Sequence, residues 1–298
     1  MPRLRLTRVG IAAALYASAT RTAVRIGGIC VALSLGLGAP AVAQDSRVSH
    51  CIAIAEAAPG LDYLHKASWR DPVPDDEVRI SYLDHSMMLI QTAGGLSAVT
   101  DYAGHLGSAD LVPDVVTMNH AHSSHWTASP DARIPHVLRG WGDGRTPNLH
   151  HLDLGEMLVR NVPTDIRSTW GEGVERYGNS IFVFEVAGLC IGHLGHLHHE
   201  PTPEQYAALG RLDIVMAAVD GGMTMDLDTM TAILGRLRSS IVIPMHWFGA
   251  ATLDRFLDRM AGSFEVRRDG VTSLTVGLRS LPARPTIVVL EPRLLAGD

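Results

Sequence analysis

Apolar and polar positions alternate along much of the middle of the chain. VRISYLDHSMMLIQTAGGLSAVTDY, beginning at Val78, alternates around Gly94-Gly95 and predicts a hairpin. DVVTM predicts a short buried strand, and residues 133–141 another. HLDLGEMLVRNVP and NSIFVFEVAGLCIGH predict three more, with Ala187-Gly188 as a turn. Helical signals come later. Thr202, Pro203 and Gln205 form a capping box with a proline in the first turn, predicting a helix to about Leu209. LDIVMAAVD and SSIVIPMHW read as buried strands on either side of a helix that Asp226 or Asp228 caps and that runs through Leu237. Residues 251–260 predict a last helix, and FEVRRDG, VTSLTVGL and TIVVLEP predict paired strands after it. Strand runs first, then strands separated by helices, suggest layered sheets with outer helices in one domain.

The N-terminus breaks this pattern. Residues 1–25 hold five arginines and no acid, and IGGICVALSLGLG and APAVAQDS follow. That order predicts a secretory signal cleaved after Ala43, hence a periplasmic or secreted protein with no stable membrane insertion. The apolar run is short for a transmembrane span. The remaining domain is 44–298, with Cys51–Ala58 as a short helix. The whole chain carries −6; without the five signal arginines it carries −11, which argues against nucleic acid and anionic membranes as partners. Cys51 and Cys190 remain, too few for a disulfide framework. Cys190 reads as a small hydrophobe in a strand. The sequence carries no phosphate loop, dinucleotide fingerprint or Gly-x-Ser-x-Gly elbow.

Chemistry concentrates in the 15 histidines. His120, His122 and His125 follow the strand DVVTM; His193, His196, His198 and His199 follow GLCI; His246 follows SSIVIPM. Imidazoles delivered from three strand ends suit a metal such as zinc. Trp126, Trp141, Trp170 and Trp247 stand beside these clusters and either wall an apolar cleft or bury loops over the sheets.

NHAHSSHW, YLDHSMMLIQTAGG with TDY, GHLGHLHH, AAVDGG and IPMHW together resemble, over about residues 78–250, the metallo-β-lactamase superfamily in its lactonase- and phosphodiesterase-like branch. The resemblance implies a four-layer αββα sandwich of the α/β class. It implies that His120 and His122 bind a first metal, and that His125 and His246 bind a second. It places His196 at the bridging Asp and Ser124 at the other ligand Asp, so both usual carboxylates are replaced. Asp165 is the nearest capable residue where a further ligand His is expected. A neutral imidazole cannot bridge two dications as a carboxylate does, so one zinc ion is expected rather than two. His193, His198 and His199 divide between ligand and orienting roles, with His199 matching the closing His of its motif and assigned to catalysis. His85 matches a position near the cleft, as an orienter or as an ordinary strand residue. Asp220 stands where the family has glycine, as a ligand or as a base toward bound water. The expected activity is hydrolysis of a small-molecule ester, lactone, amide or phosphoester by a metal-activated water. Cyclic esters and amides rank above phosphodiesters, because no arginine cluster is evident. The alternative is a non-catalytic metal- or ligand-binding protein on the same fold.

Overall fold

The computed structural model describes residues 47–53, 68–168 and 173–297. The signal and its cleavage point, the end of the first predicted helix and Trp170 lie outside the described residues. Among the described residues, no helix is long and apolar enough to cross a membrane.

The alternation builds two sheets. The first contains β1 (Glu77–Asp84), β2 (Met87–Thr92), β3 (Ser97–Val99), β4 (Val115–Met118) and β5 (His136–Arg139). The second contains β6 (His151–Asp153), β7 (Met157–Arg167), β8 (Val174–Val186), β9 (Leu189–His193), β10 (Ile214–Ala218) and β11 (Ile241–Met245). The helices are α1 (His50–Ala53), α2 (Pro203–Leu209), α3 (Leu227–Leu237) and α4 (Ala250–Met260). Three late strands are shared between the sheets: β12 (Glu265–Arg267), β13 (Ser273–Gly277) and β14 (Thr286–Val288). The orders are β13-β1-β2-β3-β4-β5 and β12-β14-β11-β10-β9-β8-β7-β6. The late strands therefore do not all pair with one another. β13 closes the first sheet against β1, while β12 and β14 extend the second in parallel.

Period-two burial separates the faces. Phe182, Phe184, Ile214 and Met216 meet Ile80, Tyr82, Met88 and Ile90 between the sheets. Ile181, Val183, Val215 and Ala217 point the other way, onto Met230, Ile233 and Leu234 of α3 and Leu253 and Phe256 of α4. The sandwich and its outer helical layer follow. The opposite face of the first sheet is covered by loops and by Leu295, with Trp126 and Trp141 edge-to-face at 5.7 Å, so these two Trp bury loops rather than wall a cleft.

Two local differences from the sequence reading matter for the site. The predicted hairpin is a three-strand meander, with an additional turn at His85-Ser86 that no glycine, asparagine or proline announces. The cysteines are paired: Cys51 and Cys190 form a disulfide across 139 residues. It fastens residues 47–53 to the second sheet. Beside it, buried Glu185 accepts from Ser49 Oγ, His50 N at 3.2 Å and Arg160 Nε at 2.9 Å, while the Arg160 guanidinium donates to the carbonyls of Ala208 and Leu209. Replacing both cysteines with serine is expected to lower unfolding free energy by about 2–4 kcal/mol. The check is urea denaturation of variant and native protein. Coincident midpoints would show that this tether carries no stability.

Candidate metal centre

The site lies where strands of both sheets end. β4 delivers His120, His122 and His125; β9 delivers His196 and His198; β10 delivers Asp220 and β11 delivers His246. The β1–β2 turn adds His85, and the residue two beyond β3 is Asp101. Ligand sites favour this end of parallel strands. Tight backbone holds it: Gly195 has φ +61°, and a Cβ there would stand 2.1 Å from the Asn119 amide. The Asn119 amide donates to Ser180 O, and Asn179 Oδ1 accepts from His196 N.

Three ring nitrogens converge. His125 Nε2 lies 3.2 Å from His246 Nε2 and 3.1 Å from His196 Nδ1. The far nitrogens of two of these rings face buried carboxylates: His125 Nδ1 is 2.6 Å from Asp101 Oδ2, and His246 Nδ1 is 2.9 Å from Asp220 Oδ2. An ionised carboxylate only accepts, so in the neutral form each imidazole carries its proton on the Nδ1 that faces it and presents a bare lone pair at Nε2. Two lone pairs facing at 3.2 Å repel unless a proton or a metal cation lies between them. Tetrahedral zinc with N ligands at 2.0–2.1 Å sets neighbouring ligand atoms about 3.3 Å apart. The donor set and its spacing fit such an ion.

The surroundings favour the neutral, ligating form of His196 and His85. Burial is the main cause pushing His196 down to about 2, with His125, His198 and His120 adding to it. Burial, then His246 and His125, pushes His85 down to about 4. Burial opposes the ionisation of Asp101, but the neighbouring His125 outweighs it and brings the carboxyl to about 2. Asp220 is also lowered: burial opposes ionisation, and hydrogen bonds from His246, Thr224 and the backbone outweigh it. Three of the site residues, His85, Asp101 and His246, have positive φ (44°, 44° and 58°). Strained backbone of this kind collects where surrounding structure over-determines a functional geometry.

Further imidazoles surround this centre. His120 donates from Nδ1 to Gly178 O at 2.7 Å, and its ring stacks 5.2 Å from His196. His122, exposed, has Nδ1 3.2 Å from Ser124 Oγ and its ring 5.6 Å from His196. The His198 ring stands 4.7 Å from His196, and its Nδ1 accepts from Arg167 N.

Three residues assigned from sequence stand elsewhere. His193 spends both nitrogens structurally: Nδ1 accepts from the Asn119 amide and Nε2 donates to Ser86 O, so it has no lone pair to offer. Asp165 accepts from Tyr177 N at 2.8 Å beside the β7–β8 register shift, where it closes a bulge. His198 rather than His199 packs on the cluster, and His199 Nε2 is buried with no hydrogen-bond partner among the described residues. The Asp220 carboxylate is engaged by its own loop. It accepts from Gly222 N, Met223 N, Thr224 N and Thr224 Oγ as well as facing His246. Asp101 faces His125 as an orienting residue that the sequence does not single out; its only signal is its place in the TDY turn. His85 joins the cluster, its ring 3.9 Å from that of His246.

The profile of the Beta-lactamase superfamily domain matches residues 79–246, which include every residue of this cluster. A UPF0173 metal-dependent hydrolase of Methanospirillum hungatei is 25% identical over 183 residues, 57% of this chain and 83% of that protein. One from Carboxydothermus hydrogenoformans is 24% identical over 191 residues, 57% of this chain and 84% of that protein. Among solved structures, a candidate zinc-dependent hydrolase of the metallo-β-lactamase superfamily from Thermotoga maritima has a TM-score of 0.52 at 24% identity. The match covers 72% of this chain and 100% of that one, and it shows the fold.

Proposed function

Because the chain belongs to the metallo-β-lactamase superfamily, we propose that it is an exported, metal-dependent hydrolase of small-molecule esters, lactones, amides or phosphoesters. The observation that carries this reading is the convergence of His125 Nε2, His196 Nδ1 and His246 Nε2, two of them held in register by buried carboxylates. Zinc is the proposed ion, since imidazole-rich sites suit it. When bound, such an ion supplies a water of lowered pKa and polarises the scissile group.

The chain's own residues hold that chemistry in place. Asp101 and Asp220 fix the tautomers of His125 and His246, as outer carboxylates do for metal-binding histidines. Ser86 Oγ, 3.0 Å from His125 Nδ1, holds the same edge of that ring. The Arg167 guanidinium donates to the carbonyls of Gly222, Met223 and Thr224, stiffening the loop that Asp220 caps. With that arginine committed to backbone, a neutral acyl substrate is favoured over a phosphodiester. Phe248, 61% exposed with its ring 5.3 Å from that of His246, offers an apolar wall for such a substrate. Export is supported by the basic and apolar N-terminal run and by the Cys51–Cys190 disulfide, a bond that persists in oxidising compartments.

The test is turnover of a panel of lactone, ester, amide and phosphodiester substrates by protein as purified, after chelator dialysis, and after zinc is restored. We expect at least one acyl substrate to be hydrolysed, to lose turnover on chelation and to regain it with zinc. Absence of chelator-sensitive turnover in every class would overturn the reading.

A further inference from the structure

We infer that His85 is a metal ligand, supplying from the β1–β2 turn a further nitrogen beside His125, His196 and His246 and replacing the carboxylate that Ser124 lacks. This rests on the metal-dependent reading above and adds a residue to it. Ring nitrogens of His85, His125 and His246 all lie within 4.8 Å of one another. The His85 ring stands 3.9 Å from that of His246 and 5.4 Å from that of His125.

The turn that presents His85 is fastened to the rest of the site. His85 O accepts from His246 N at 2.8 Å and from Tyr82 Oη. Ser86 O accepts from His193 Nε2, and Ser86 Oγ meets His125 Nδ1. Donors from the ends of β9 and β11 thus hold one two-residue turn. His85 itself is in the left-handed region at φ 44°, which a non-glycine residue adopts only where its surroundings require it. A histidine used merely to fill space needs neither this backbone nor these anchors.

Charge accounts for how the site can do without carboxylate ligands. Ser124 Oγ is engaged with His122 Nδ1 and carries no charge. Neutral imidazoles cannot offset a dication, but Asp101 and Asp220 stand directly behind two of them. The two negative charges have moved one residue outward, from the ligand layer to the residues that orient it, and the pair matches the +2 of a single ion.

The experiment compares the full chain with His85→Asn and His85→Gly, both of which tolerate a left-handed backbone. Zinc affinity is read by chelator competition, and the coordination sphere by the visible absorption bands of the cobalt(II)-loaded protein. Thermal melting of the metal-free proteins monitors the fold. We expect both variants to melt as the native metal-free chain does, to bind zinc at least tenfold more weakly and to show altered cobalt bands. Added imidazole should restore those bands in His85→Gly. Unchanged zinc affinity and cobalt bands in a folded variant, with the native chain binding metal, would remove His85 from the ligand set and leave the hydrolase reading standing. A native chain that binds neither ion would overturn both.

Discussion

His125→Ala is expected to abolish stoichiometric metal binding and to destabilise the folded chain at the same time. Its Nε2 is the shared vertex of the convergent nitrogens, 3.1 Å from His196 Nδ1 and 3.2 Å from His246 Nε2, so no other single ring reaches both. Removing it also strips Asp101 Oδ2 of its 2.6 Å partner. Asp101 is fully buried, and Asn119 N would remain to satisfy Oδ1. An unpaired buried charge left in this way costs about 3–5 kcal/mol. For a domain of this size that corresponds to a melting shift of roughly 10 °C. The two effects separate in a second variant. His125→Ala combined with Asp101→Ala removes the orphaned charge, so it should recover much of the stability and none of the metal. The measurements are metal content after dialysis and the melting midpoint of each variant. Retention of a full equivalent of metal by His125→Ala would show that the ion sits elsewhere.

Much of this architecture is written in period and punctuation. The alternation through Ile181–Phe184 and Ile214–Val219 specifies which residue faces which layer, because a strand's side chains change sides at every step. The Thr202–Gln205 box and the Asp226 cap both form as the sequence predicts. The histidines' positions after strands are equally legible, since strand ends converge in a layered sheet protein. What the sequence does not carry is direction. GHLGHLHH contains four histidines within seven residues, yet His193 turns inward to Asn119 while His196 turns to His125. Nothing in composition separates them; the left-handed Gly195 between them does, by redirecting the chain. Asp101 reads as a turn residue and acts as one, with a positive φ, while its carboxylate orients a ring 24 residues later in sequence. Cys51 and Cys190 are 139 residues apart, and no local pattern encodes that approach.

Asp220→Asn is expected to weaken metal binding by about 10–100-fold, the range typical of losing an outer partner of a metal-binding histidine. From sequence, the carboxylate looks like a proton acceptor for bound water, and its amide analogue should then keep metal while losing turnover. The geometry reverses that expectation. Oδ1 accepts three backbone N–H groups, from Gly222, Met223 and Thr224, and Oδ2 faces Thr224 Oγ and His246 Nδ1. An asparagine has one oxygen for these two jobs. If its oxygen keeps the three backbone donors, its NH2 group points at His246 Nδ1. A donor there demands a lone pair on Nδ1, which moves the ring proton to Nε2 and removes the lone pair that faces His125. If the amide turns over, the oxygen serves His246 but three backbone donors meet an NH2 group, and the loop through Met223 must open. The first arrangement removes the His246 lone pair and the second loosens the loop that positions the group behind His246, so lost metal should precede lost turnover. Chelator competition on Asp220→Asn, read beside its activity at saturating zinc, distinguishes the two roles. Native zinc affinity with abolished activity would return Asp220 to the position of general base.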